Sequence, residues 1–149
     1  MSYVDLLKTV DIFDELDTAR LERLSGICTE HWMRVGEVVF EQQSHSDSLY
    51  IILNGEIDIL VQLPTMDTAS VIARLQRGQS FGEVALVDEG LRTATARVAS
   101  PEARLLMLHR ANLMELCHSD YELGFLLMRN LAIDLALKLR QADLRVPQA

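Results

Sequence analysis

Little in the sequence commits it to several large classes of protein. Of its 149 residues only two are cysteines, Cys28 and Cys117. Two are too few for a disulfide framework, and their separation is not the paired spacing of a zinc site. Buried free thiols in a reducing compartment are the expectation. Basic residues are outnumbered, 14 Lys and Arg against 22 Asp and Glu, which leaves a formal charge of -8. That balance opposes general attraction to phosphate backbones or anionic lipid surfaces, so any anion bound here needs a local device. The longest wholly apolar run, Leu49 to Leu53, is far too short to span a bilayer. The N-terminus carries acids from Asp5 onward, unlike a basic targeting segment. A soluble, cytoplasmic protein is expected. The chain has no internal repeat and no low-complexity linker.

What is present suits one globular domain. A chain of this length buries roughly two-thirds or more of its unfolded surface, and 49% hydrophobic with 24% charged residues is an ordinary globular composition. Leu6, Val10, Phe13, Leu16, Leu21 and Leu24 recur at helical spacing and predict a helical cap over about 1–30. After Arg34 the period becomes that of strands and turns. Val38 to Phe40, a polar loop from Gln42 to Ser48, Leu49 to Leu53 and an Asn54-Gly55 turn follow in order. Ile57, Ile59 and Val61 alternate with Glu56, Asp58 and Gln62, and Val71, Ala73 and Leu75 follow a turn at Pro64 to Asp67. These two runs predict a hairpin. Further strands are expected at Thr95 to Ala99 and Ala103 to Leu108, so close spacing of short strands points to a barrel or jelly roll over about 31–109. From about 110 to 145 the reading returns to helix, with Ser119 as N-cap and Asp120 and Glu122 in the first turn. The chain then stops at Pro147 to Ala149, and no further domain is expected.

The segment FGEVALVDEGLRTATA, Phe81 to Ala96, carries the chemistry. It closely resembles the phosphate-binding cassette of the cyclic nucleotide-binding domain family, with Phe81, Gly82, Glu83, Ala85, Leu86, Arg92 and Ala94 in matching positions without a gap. Gly36, Glu37, Phe40, Asp47, Leu49, Tyr50 and Gly55 extend the likeness over nearly the whole chain. Ser44 departs from it, standing where a glycine usually follows Gln43, and Leu91 stands where proline is frequent. The resemblance implies a mainly β fold with flanking helices: a β-roll of about eight strands, jelly-roll-like, between an N-terminal helical segment and a C-terminal helix pair hinged near Arg110 to His118. It implies a receptor for cAMP or cGMP, not an enzyme, without metal or cofactor. The implied ligand-binding set is Gly82, Glu83, Val84, Ala85, Arg92, Thr93 and Ala94.

Elementary chemistry gives these residues sense. A cyclic phosphate diester carries one negative charge, and the Arg92 guanidinium offers it a fork of charge-assisted hydrogen bonds. Gly82 lets backbone approach a ligand. A short helical turn over Glu83 to Leu86 would aim free N–H groups, that of Ala85 included, at the same phosphate. The Glu83 carboxylate only accepts, which suits the ribose 2′-hydroxyl. Ala94 is small, and the Thr93 hydroxyl is placed to read the base.

Plainer readings stand beside these. Glu83 and Arg92 form a surface ion pair in one; a barrel of this shape also admits a cupin-like metalloenzyme, for which His45 and Asp47 are the nearest candidates and His31, His109 and His118 lie outside any metal spacing. A degenerate fold that serves protein interaction without ligand is a third. Cys117 and His118 are adjacent, and adjacent helical residues do not face one another. Direct DNA binding is opposed by the acidic charge and by the absence of a helix-turn-helix after the long helix. On that helix Leu123, Leu127, Leu131, Leu135 and Leu139, with Met128, Ala132 and Ala136, predict a core stripe. Leu126, Ile133 and Leu137 form a second strip, set apart by Asn130, Asp134 and Lys138. The second strip meets either the N-terminal helices or a partner, including a second copy of the chain. Base choice, including a cyclic dinucleotide, is left open.

Overall fold

A computed structural model describes residues 2–45, 47–88 and 90–145. Two short helices, α1 (Val4–Leu7) and α2 (Thr18–Ile27), precede eight strands: β1 (Thr29–Arg34), β2 (Val38–Phe40), β3 (Ser48–Asn54), β4 (Ile57–Val61), β5 (Ser70–Leu75), β6 (Ser80–Phe81), β7 (Thr95–Val98) and β8 (Glu102–His109). Two helices close the chain, α3 (Arg110–Ser119) and α4 (Tyr121–Arg145). The strands form two four-stranded sheets, ordered β1-β8-β3-β6 and β2-β7-β4-β5, and every pairing is antiparallel. This is the expected mainly β fold with flanking helices, a β-roll.

The apolar run in β3 is explained by burial on both faces. Ile52, with Tyr50 beside it, faces the space between the sheets, where it meets Ile57, Phe81, Ala96, Val98, Ala103 and Leu105. Leu49 and Ile51 point the other way, into a larger cluster with Leu7, Phe13, Leu24, Leu113, Leu123 and Leu127 from the helices. Each such side chain contributes roughly 1.5–3 kcal/mol by leaving water. Helices and roll are thus joined through one sheet.

Several sequence expectations shift in detail. Asn54-Gly55 joins strands of different sheets and so turns no hairpin, and Gly55 (φ +97°) is forced: a Cβ there would stand 2.5 Å from the Glu102 carbonyl oxygen. The β4–β5 hairpin forms, but a bulge between Ile59 and Leu60 breaks its alternation. Asp58, read as outward, is buried beneath Arg74, whose Nε and Nη2 donate to it at 2.7 and 3.0 Å, while Val71 is exposed. β1 and β6 carried no clear pattern. Residues 110–119 form a complete helix, and the break falls at Asp120, which caps α4 in place of Ser119: its Oδ1 accepts from the Leu123 amide, whereas the Ser119 hydroxyl donates back to the Leu116 carbonyl. Arg20 and Arg23 of α2 grip Asp120 at 2.8 and 2.9 Å, and Arg20 also reaches Glu122 at 2.9 Å. These cations hold the Asp120 carboxyl far below the usual carboxylate range, the hydrogen bond from Arg20 leading. The joint between α3 and α4 is clamped to the helical cap. Pro147 to Ala149 lie outside the described residues.

Candidate functional site

Arg92 follows a loop that ends on the 43–44 turn. Its amide donates to the Ser44 carbonyl and its carbonyl accepts from the Gln43 amide, both at 2.7 Å. The positive φ of that turn, +70°, falls on Gln43, so Ser44 carries no left-handed strain, and its hydroxyl and amide both donate to the Glu41 carbonyl. Leu91 forms an antiparallel bridge with His45. The two departures from the family pattern are therefore accommodated in one piece of backbone pairing.

From this base the Arg92 side chain turns inward and is only 6% exposed. Nη2 donates to the Ser48 carbonyl at 2.7 Å and Nη1 to the Gly82 carbonyl at 3.2 Å. Its Cζ lies 4.0 Å from the centre of the Phe40 ring, which itself leans on Tyr50 and Phe81 at 5.8 Å between centroids. A buried guanidinium over an aromatic face is a cation–π arrangement. Burial pushes the Arg92 pKa down, and the Tyr50 and Asp47 charges offset part of that. No described carboxylate lies within ion-pair distance of it, and its buried Nε–H has no hydrogen-bond partner. A cation taken out of water with no anionic partner among the described residues is costly; here two backbone carbonyls and the Phe40 ring hold it.

Gly82 makes the approach possible. It is left-handed at φ +77°, and a Cβ there would stand 2.6 Å from Arg92 Nη1. The next four residues, Glu83–Leu86, form a 3-10 turn. Ala85 is fully buried, and its N–H donates to the Gly82 carbonyl at 3.1 Å, which closes that turn. A tight 3-10 turn consumes internally the amide that an open turn would present.

Glu83 does not pair with Arg92. Its side chain is 8% exposed, and Oε1 accepts from Nζ of Lys138 on α4 at 2.7 Å. The surface ion-pair reading therefore fails on both partners. Gly82, Glu83, Val84, Arg92, Thr93 and Ala94 line one cavity of about 860 Å³, a size typical of small-molecule sites. β4 and β5 add Val61, Ile72 and Ala73 to its wall, and α4 adds Asp134, Leu135 and Lys138. The wall thus joins a cationic and hydrogen-bonding end to an apolar end. In the sequence Lys138 is only a polar separator on a helical wheel, since nothing local signals a partner 55 residues away. Phe40 enters the sequence pattern through resemblance alone, and the fold makes it the platform of the guanidinium.

Among the described residues no three His, Cys, Asp or Glu side chains gather to hold a metal, and no helix is long and apolar enough to cross a membrane. Cys28 and Cys117 are free and half-buried, and burial pushes the Cys28 thiol up to about 12.

Comparison with known proteins agrees with this geometry. The chain is 29% identical over 126 residues to cGMP-dependent protein kinase, isozyme 1, of Drosophila melanogaster, covering 79% of this chain and 16% of the kinase. It therefore spans about a sixth of the length of that relative. The crystal structure of Thermus thermophilus catabolite activator protein superposes with a TM-score of 0.79 at 28% identity, covering 90% of this chain and 60% of that one. A cyclic nucleotide-binding domain from Methylobacillus flagellatus reaches 0.81 at 20% identity, covering 96% and 79%, which shows the shared fold. Residues 30–120, more than half of the sequence, match the family model described as cyclic nucleotide-binding domain, and the chain belongs to that family.

Proposed function

We propose that the chain is a receptor for a cyclic mononucleotide, cAMP or cGMP, and that it acts by binding and not by catalysis. The observation that carries this reading is the buried Arg92, held by carbonyls and an aromatic ring with no described carboxylate to neutralise it. A single phosphodiester charge matches that single guanidinium. Glu83 is the acceptor for the ribose hydroxyl, Gly82, Val84 and Ala94 shape the sugar-phosphate end, and Thr93, exposed on the wall, faces the base. The similarity to a cGMP-dependent kinase supports a cyclic nucleotide as ligand. Half-buried free thiols fit a reducing, cytoplasmic setting.

Occupancy is passed on through α4, which lines the cavity with Asp134, Leu135 and Lys138. Such a signal requires that ligand bind two positions of the helix unequally. The output surface is the exposed strip of Ile133 and Leu137, and a second copy of the chain is the partner proposed for it.

Calorimetry against cAMP, cGMP, a cyclic dinucleotide and linear AMP tests the reading. Wild type should bind a cyclic mononucleotide at micromolar concentration or better. Arg92→Leu should lose at least about a hundredfold, because charge-assisted hydrogen bonds and an unpaired buried charge together exceed about 3 kcal/mol. Arg92→Lys, which keeps charge without the fork, should fall between. Thr93→Ala should weaken cGMP more than cAMP if that hydroxyl reads the base. A wild type blind to all cyclic mononucleotides, or a folded Arg92→Leu that binds equally well, refutes the receptor.

A further inference from the structure

Lys138 lies 55 residues from Glu83 and belongs to no motif. Its Nζ donates to Glu83 Oε1 at 2.7 Å and stands 3.0 Å from Asp134 Oδ2, one turn earlier on α4. That Asp134 oxygen makes no aligned hydrogen bond, so the ammonium points at Glu83 and Asp134 supports it by charge. Burial acts to lower the Lys138 pKa, but the hydrogen bond and charge of Glu83, aided by Asp134, outweigh it and hold the amine above its ordinary value. Lys138 is protonated at neutral pH.

The two partners depend on the bond unequally. The Glu83 side chain is 8% exposed and that of Lys138 is 56% exposed. A carboxylate so far out of water depends on its paired cation, while the lysine has solvent to fall back on. Two carboxylate oxygens offer about four acceptor sites. Lys138 occupies one on Oε1 and leaves the second oxygen for a hydroxyl donor. Among the described side chains of α4, no other hydrogen-bonds to the Gly82–Ala94 segment.

We propose that Lys138 is a positioning residue for the ribose subsite, and so sets the discrimination between ribose and 2′-deoxyribose ligands. It fixes the orientation of Glu83 so that the free carboxylate oxygen accepts from the 2′-hydroxyl. Through the same bond the hold of α4 on the cavity depends on that subsite. This assignment rests on the receptor reading above.

The test compares wild type, Lys138→Met and Lys138→Arg by calorimetry with cAMP and cGMP and their 2′-deoxy counterparts, together with amide hydrogen exchange over residues 132–141 of ligand-free protein. Lys138→Met should weaken the ribose ligands about tenfold, the scale of one charge-assisted hydrogen bond, and the deoxy ligands less than about threefold. Lys138→Arg, which keeps charge and donor, should restore most of the discrimination. Exchange over 132–141 should quicken in Lys138→Met. Equal losses for both ligand classes overturn the positioning role, as does tighter binding by Lys138→Met; unchanged exchange overturns the tether. If wild type binds no cyclic nucleotide while exchange still quickens, the receptor reading falls and the tether stands.

Discussion

The two halves of α4 are held to the molecule in opposite ways. From Leu123 to Leu131 the helix is embedded: Leu123, Leu127 and Leu131 are fully buried, and Asn130 donates to the carbonyls of Ile12 and Asp14 at 3.1 and 2.9 Å. From Ala132 to Gln141 nearly every apolar side chain is exposed, Leu135 is half-buried on the cavity wall, and the described polar attachment to the cassette is Lys138. The first half is fixed by area removed from water and the second by one ion pair. Area-based packing is lost only with the core, whereas a single ion pair opens without unfolding. One continuous helix therefore contains a packed anchor and a largely exposed segment tied by a single ion pair.

Cavity formation breaks the comparison most severely. Leu127→Ala should cost about 2–5 kcal/mol of unfolding free energy, whereas Leu139→Ala, at an exposed position, should stay within about 0.5 kcal/mol. Chemical denaturation of the two variants measures this, and similar losses at both sites would erase the distinction.

The joint between α3 and α4 gives a second, smaller effect. Asp120 is held far below the usual carboxylate range by Arg20, the Leu123 amide and Arg23. A depressed folded-state pKa stabilises above the unfolded value, near pH 4, and that stabilisation is lost as pH falls toward the folded value. Thermal stability followed from pH 6 to pH 2 should therefore decline less steeply in Asp120→Asn than in wild type. Parallel curves would show that the clamp contributes nothing through its charge.

The smallest effect on the fold sharpens the comparison instead of breaking it. Leu137→Glu should leave monomer stability within about 0.5 kcal/mol yet abolish self-association in sedimentation velocity. A wild type that stays monomeric at high concentration, with and without nucleotide, removes the dimer proposed for the exposed strip.

Much of this architecture is written in local patterns, and what was not written there has a common cause. Helical spacing of Leu6 through Leu24 located the cap, and all six of those positions are buried. The Phe81–Ala96 segment was legible because its residues are close in sequence and their roles depend on near neighbours, as Gly82 depends on Arg92. The α4 stripe was legible as far as Leu131 and then failed: Leu139 has core spacing but emerges at 65% exposure, since the roll ends before the helix does. Leu126, grouped with Ile133 and Leu137, packs against the core instead. Tyr121 and Phe125 are exposed apolar residues that periodicity did not single out. Asn130 and Lys138 serve only to separate the two strips in the sequence pattern, yet their partners are the Ile12 and Asp14 carbonyls and Glu83, set by tertiary folding alone.

The end of burial at Leu131 also gives α4 the geometry of a lever. With a rise of 1.5 Å per residue, Lys138 lies about 10 Å beyond that fulcrum and Arg145 about 21 Å beyond it. A swing of about 15° carries the backbone at Lys138 roughly 2.7 Å, the length of its bond to Glu83, and carries the backbone at Arg145 about twice as far. The arm thus has a geometric gain of about two: a swing just wide enough to part Lys138 from Glu83 would displace the far end of the helix by more than a strand spacing.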